Sequence, residues 1–328
     1  MLLQLPPELQ LRVLLPLSAE DVAAVSASCR SLRQLCREES LWIQLARHQV
    51  GAVLKVTEEF SPRLYFQSVL YPYRHVLGLW QRRNLKYYGG LLKVSLRDQS
   101  LVFEDVIPPH RIGNDFEKVP FLRLSRMRAD KEVVIENLSS IALSDGARII
   151  TPSPEVPEMK VILSNIEDHT LNPSEWRQVM VDFVRQVYGG EGEVDVTDLL
   201  LMRFVQTYHS RALYSYTRLE PTWSESGSVI NPGLFVGTYG PHGTEIIELT
   251  VTESVVGTCG TKVTGDPNVP FGEISFRLCS DQCLNIPRES QETLEALVEF
   301  LEDPQYIEFQ VNLHYNLPII LFVLKQLP

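Results

Sequence analysis

Leu5-Pro6-Pro7-Glu8-Leu9-Gln10-Leu11-Arg12-Val13-Leu14-Leu15-Pro16-Leu17 decides how the chain begins to fold. Leu9, Val13 and Leu17 recur every fourth residue and so line one face of a helix. Pro6 starts that helix and Pro16 closes it. Ser18-Ala19-Glu20-Asp21 reads as a capping box with Asp in place of the usual Glu. Val22, Val25, Cys29, Leu32 and Cys36 continue at helical spacing, and Ser40 is placed to cap a further turn carrying Leu41, Trp42 and Leu45. Residues 1–48 are therefore expected to form three or four short helices. So small a unit buries little of its surface alone. It holds more apolar side chains than its own core can use, so a partner helical bundle is expected, with Leu5, Leu9 and Val13 as the strip that enters its groove.

Working outward, a second texture begins near Tyr73. Short β-prone runs alternate with turn residues: Leu91–Leu96, Ser100–Val106, Val119–Leu124, Met159–Ser164, Ala212–Arg218, Gly233–Tyr239, Thr244–Val251 and Glu273–Leu278. That spacing predicts an antiparallel sandwich or barrel. Three helices are predicted among the strands. One starts at Asn172-Pro173, carries Trp176, Val179, Met180, Phe183, Val184 and Val187, and stops at Gly189-Gly190. The others are Asp198–Tyr208 and Ser290–Glu302. The expected class is α+β: helices at 1–48, a linker helix at 49–72, a β-rich domain with interspersed helices at 73–304, and an unassigned tail at 305–328.

Composition narrows the function. With 44% hydrophobic and 22% charged residues, the chain can bury a sizeable core. The net charge of -11 opposes binding to phosphate backbones, so no nucleic-acid partner is expected. Arg74, Arg82, Arg83, Lys86, Lys93 and Arg97 read as a solvated basic face of strands, with a basic patch as the alternative. The 5 cysteines form no C-x-x-C pair. No basic-then-apolar leader opens the sequence, and no apolar run is long enough for a membrane helix. The expectation is a soluble protein of the reduced cytoplasm and nucleus, with no membrane partner.

Leu5-Pro6-Pro7-Glu8-Leu9, Leu14, Val22, Cys29, Leu32 and Leu41-Trp42 together resemble the F-box motif over its whole length. The resemblance implies a binding face for the Skp adaptor, and through it cullin and RING subunits, built on Leu5, Pro6, Leu9, Val13, Leu14, Leu17, Leu41 and Trp42. Further blocks extend it: Tyr73-Arg74-His75-Val76-Leu77-Gly78-Leu79-Trp80, Tyr88-Gly89-Gly90-Leu91-Leu92, Asn231–Gly243 and Gly260–Pro270 are similar to one family of F-box substrate receptors. That family implies a second, β-barrel domain that captures protein C-termini, those of D-type cyclins and of C-terminally amidated proteins, for ubiquitination and proteasomal degradation. It implies a non-catalytic ligase subunit acting in the cell cycle and the DNA-damage response. Cysteine and histidine clusters of the family are missing here: residues 130–175 contain His169 alone and no cysteine. No metal and no cofactor are expected. Val311–Pro328 matches nothing in that family, which implies a divergent or C-terminally shortened form.

Candidate substrate-binding residues lie on the aromatic and glycine-rich segments: Trp80, Tyr88, Phe235, Gly237, Tyr239, Gly240, Lys262, Thr264, Asp266 and Asn268. Gly237-Thr238-Tyr239-Gly240-Pro241-His242-Gly243 lacks the Gly-Lys-Ser/Thr ending of a phosphate loop. It reads either as a tight turn or as a bare backbone platform for an extended peptide. Thr264-Gly265-Asp266-Pro267-Asn268 reads either as a turn, with Asp266 accepting local backbone N–H groups, or as a pocket. There Lys262 would favour a terminal carboxylate and Asp266 a terminal amide. The aromatic residues serve equally as core. No nucleophile elbow or zinc-protease helix is present. Two alternatives to the receptor stand: a barrel that carries a small ligand or acts as an enzyme behind an F-box, and an F-box protein whose incomplete barrel binds nothing.

Overall fold

The computed structural model describes residues 4–54, 60–83, 87–108, 116–126, 133–138, 146–152, 157–164, 213–219, 232–238, 244–252, 257–266, 268–279, 306–311 and 320–326. The three helices predicted near 172–189, 198–208 and 290–302 lie outside these residues. The chain divides into two compact units. One comprises Met1–Gly78, Val94–Phe103 and Pro120–Asn165; the other comprises Leu79–Lys93, Glu104–Val119 and Ile166–Pro328.

The first unit opens with α1 (Pro7–Leu14), α2 (Ala19–Ser28), α3 (Arg30–Leu35) and α4 (Glu39–Val50). Pro7 occupies the first turn of α1, where its missing N–H costs nothing. The capping box at α2 is present: Ser18 Oγ accepts the Asp21 N–H at 3.1 Å, and the Asp21 carboxylate receives the Ser18 N–H and hydroxyl. Ser40 does not cap α4. The helix starts one residue earlier at Glu39 with Glu38 before it, so Ser40 falls inside the first turn. Gly51, in the left-handed conformation at φ 69, ends α4. Its core is Leu14, Val22, Cys36, Leu41, Trp42, Leu45 and Ala46, all buried. The Trp42 indole N–H donates to the Cys36 carbonyl at 2.9 Å, and its ring packs on Phe66 at 5.6 Å between centroids. Phe66 belongs to a continuous helical stretch: α5 (Pro62–Tyr65), a π-helical turn (Phe66–Leu70), α6 (Tyr71–Tyr73) and a 3-10 turn (Arg74–Val76). Ser61 caps its start and also donates to Glu39 Oε1 at 2.6 Å, tying the stretch to α4.

The strands are β1 (Gly78–Arg82), β2 (Leu91–Arg97), β3 (Ser100–Ile107), β4 (Glu117–Arg126), β5 (Val133–Asn137), β6 (Gly146–Ile150) and β7 (Glu158–Ser164). After them come β8 (Leu213–Leu219), β9 (Gly233–Thr238), β10 (Thr244–Thr252), β11 (Gly257–Lys262), β12 (Ile274–Cys279), β13 (Tyr306–Val311) and β14 (Ile320–Gln326). One sheet runs β5-β4-β3-β2-β1-β8-β7-β6 and the other β12-β11-β10-β9-β14-β13. All eight predicted strands form. Residues 306–311 and 320–326, both within the tail left unassigned, form the hairpin β13–β14, and β14 pairs with β9 from Leu324↔Gly237 to Gln326↔Phe235. Within the second unit the two sheets meet at the bridge Gly89↔Thr264, and the antiparallel array is nearly closed into a barrel. Its core gathers Leu91, Val106, Leu219, Leu234, Val236, Ile246 and Val263, with Leu79 and Phe116 against them. Among the described residues no helix is long and apolar enough to cross a membrane.

Candidate functional sites: an exposed helical strip and the loop after β11

On α1 the apolar side chains split into two sets. Leu5, Leu9 and Val13 are 37%, 43% and 48% exposed, whereas Leu14 on the other side is buried. Pro6 is exposed and Leu17 half-buried. The chain after α1 is fixed by Gln49, whose side-chain amide donates to the Leu17 carbonyl at 2.7 Å. Leu41 and Trp42, also named from the sequence, lie in the interior. Among the described residues Leu5, Leu9 and Val13 remain turned to solvent as an apolar strip.

In the second unit the loop after β11 is built around a buried cation. Lys262 Nζ lies 2.6 Å from Glu245 Oε2 and 2.7 Å from Asp266 Oδ2, and all three residues are at most 2% exposed. The β10–β11 pairing puts Lys262 opposite Ile247, beside Glu245, while the β9–β10 pairing puts Glu245 opposite Gly237. The two glycine-rich blocks are thus separated by one strand and linked through Glu245. Asp266 Oδ1 accepts the backbone N–H of Asn268 at 2.6 Å and of Val269 at 3.1 Å, closing the turn. Burial works to raise the Asp266 carboxyl, but the hydrogen bonds from Lys262, Val269 and Asn268 and the Lys262 charge together hold it below the usual carboxylate range. Thr264 Oγ1 accepts the Ile246 N–H at 2.8 Å. Asn268 is exposed at the tip.

A glycine fixes the approach of this loop to the segment before β2. Gly265 N–H donates to the Tyr88 carbonyl at 3.0 Å and Phe271 N–H to the Tyr87 carbonyl at 2.9 Å. A Cβ on Gly265 would stand 2.7 Å from the Tyr87 oxygen and collide with the Phe271 nitrogen, so only glycine permits the contact. Gln81 on β1 adds a link, donating to the Lys262 and Val263 carbonyls at 3.5 Å each.

Trp80 and Phe235 are fully buried, Tyr88 nearly so, and Gly237 is buried on β9. Tyr239 and Gly240 lie outside the described residues. Arg82, read from the sequence as part of a solvated basic face, is instead 4% exposed, while Arg83 and Arg97 are exposed as expected. Glu245 was not singled out, because Thr244-Glu245-Ile246-Ile247-Glu248 shows no alternation that marks Glu245 as inward.

Comparison with known proteins agrees with both units. Residues 2–48 match the F-box-like family and residues 216–316 match the Cyclin D1 binding domain. The chain is 28% identical over 302 residues to F-box only protein 31 of Rattus norvegicus, covering 87% of this chain and 57% of that protein. The figures for the Homo sapiens protein are 28% over 302 residues, 87% and 54%. Those for F-box only protein 31-B of Xenopus laevis are 25% over 293 residues, 87% and 55%. The chain therefore spans somewhat over half the length of these curated relatives. By these matches the chain is similar to F-box only protein 31 over 87% of its length, with an F-box-like match at its start and a Cyclin D1 binding match across the strands that carry the Lys262 cluster.

Proposed function

We propose that the chain is the substrate-recognition subunit of a Skp–cullin–F-box ubiquitin ligase. Its β-rich domain binds C-terminal tails of target proteins, D-type cyclins and C-terminally amidated proteins among them, and ubiquitin transfer belongs to the other subunits. The observation that carries the adaptor half is the exposure of Leu5, Leu9 and Val13 on and just before a helix whose Leu14 is buried, in the segment that matches the F-box-like family. The substrate half draws support from the Cyclin D1 binding match. In this reading the Lys262–Glu245–Asp266 cluster holds the loop rigid. The exposed Asn268 and the loop's main chain meet the tail, with Thr264 beneath them.

Two measurements test the halves separately. Leu9→Glu places a carboxylate in the adaptor groove, where desolvation without a partner costs about 2–7 kcal/mol. Skp should no longer co-purify while near-UV circular dichroism stays unchanged; undiminished co-purification sinks the adaptor reading. For the tail, labelled peptides with a cyclin D C-terminal sequence, ending in acid or amide, are titrated into the chain and into Asn268→Ala. Discrimination between the two ends, weakened by the substitution, supports the reading. Equal weak binding of both peptides by both proteins refutes it and favours a barrel that binds no tail.

A further inference from the structure

The face of β1 and β8 turned away from the apolar core carries polar groups that nothing above uses. Strand side chains alternate, so Trp80 and Arg82 point opposite to Leu79, which packs on the core cluster. Arg82 is 4% exposed, and its Cζ lies over the Tyr214 ring at 4.1 Å from the centroid. Among the described residues, Arg82 Nε and Nη2 are buried and reach no acceptor. Tyr216 sits directly opposite Arg82 in the β1–β8 register, is 1% exposed, and its hydroxyl is likewise unpartnered. Buried polar groups in folded proteins are satisfied by protein, water or ligand. Here two N–H groups and one O–H belong to residues paired across β1 and β8 on one face of the sheet, and each can donate. Burial pushes the Tyr216 phenol well above its ordinary range, so it keeps its proton. Asp105 lies near enough to feel the Arg82 charge, which opposes the rise that burial imposes on its carboxyl. Among the described residues, no ion pair joins the two.

We propose that Arg82 and Tyr216 form a receptor for one organic carboxylate, gripped side-on by Nε and Nη2 with the Tyr216 hydroxyl as a third donor. Nε and Nη2 are the edge of a guanidinium that matches the two oxygens of a carboxylate in plane, a fit that an ammonium does not reproduce. The Tyr214 ring holds the guanidinium while leaving this edge available. A carboxylate brings acceptors only, which is what three unsatisfied donors require. It can come from a chain terminus or from an Asp or Glu side chain. The proposal stands apart from the tail reading, which places its ligand at the loop after β11.

The test uses the full chain, isothermal titration calorimetry and four probes: N-acetylglycine for a chain end, N-acetylaspartate α-methylamide for a side chain, neutral N-acetylglycinamide, and inorganic phosphate. Either carboxylate should bind saturably, and which of them binds tighter names the source; the neutral amide should show no binding that Tyr216→Phe or Arg82→Lys weakens. Tyr216→Phe should weaken carboxylate binding roughly 2–10-fold. Arg82→Lys keeps the charge without the fork and should weaken it about tenfold or more. Near-UV circular dichroism verifies that both variants fold, and if Arg82→Lys does not, Tyr216→Phe alone decides. No saturable binding of either carboxylate to the folded chain overturns the proposal. So does unchanged affinity in the folded variants, or binding of phosphate alone. Carboxylate binding weakened by Tyr216→Phe and not by Asn268→Ala belongs to this site, and binding weakened by Asn268→Ala alone belongs to the loop after β11, so failure of the tail reading and failure of this one are read separately.

Discussion

Replacing Lys262 with methionine keeps the length of the side chain and removes its charge. Lys262 is fully buried, and its ammonium is within 2.7 Å of two carboxylates, those of Glu245 and Asp266. Without it, two buried acids lose the ammonium they share. At pH 7 at least one must take up a proton, and raising a carboxyl by about three units costs about 4 kcal/mol at 1.36 kcal/mol per unit. That agrees with the roughly 3–5 kcal/mol lost on breaking a buried ion pair from one side. Urea unfolding followed by near-UV circular dichroism should show a loss of that size. Lys262→Met combined with Glu245→Gln should recover part of it, because one of the opposed charges is gone. The pH dependence gives an independent sign. In the native chain the Asp266 carboxyl is held low, so its stabilisation is present above the unfolded carboxylate range and is lost as pH falls through the folded value. In Lys262→Met, burial without the cation raises that carboxyl, so stability should instead rise as pH drops from 7 to 5. A variant within about 0.5 kcal/mol of the native chain, the ordinary range for surface changes, or one with the native pH slope, would refute the reasoning.

Three further substitutions probe the scaffold. Gly265→Ala forces a Cβ into the Phe271 and Tyr87 backbones. It should cost at least about 1–3 kcal/mol of second-unit stability, as overpacking does, and lowered hydrogen-exchange protection at Phe271 would report it. Ser18→Ala removes the α2 cap and should cost about 1 kcal/mol by thermal unfolding of the first unit. Trp42→Ala empties the centre of that unit and should cost about 3–5 kcal/mol, with Skp capture lost through unfolding; Leu9→Glu, at an exposed position, should abolish capture at unchanged stability.

The helical half was legible because its signals are local: spacing, prolines and a capping box act within a few residues. Eight strands were legible from β-branched and aromatic runs. β11 was not, because Gly257-Thr258-Cys259-Gly260 looks like a turn. Gly260 is there because the Phe276 ring of β12 lies against it, a reason supplied by another strand. β1 escaped because Trp80-Gln81-Arg82 is buried on both faces and so shows no alternation. Lys262 and Asp266 stand out in the sequence, but the cluster they form includes Glu245, which only the β9–β10 register brings in. Arg82 was misread because five other basic residues nearby suggested a wet surface, whereas Tyr214, Tyr216 and Asp105 arrive from strands more than a short window away.

The links made by β1 bear on how the protein is made. Gln81 bonds to a carbonyl 181 residues later, and Arg83 to a hydroxyl 134 residues later. At roughly 5–20 residues per second, the ribosome needs on the order of 10–40 seconds to deliver the partner of Gln81. During that interval the helices at the N-terminus can fold from local contacts, while β1 waits with an open hydrogen-bonding edge beside Trp80. Nascent chains of this protein therefore pass through a stage in which the N-terminal helices are finished and the β-rich domain is not, and that exposed edge makes the stage a natural client of chaperones.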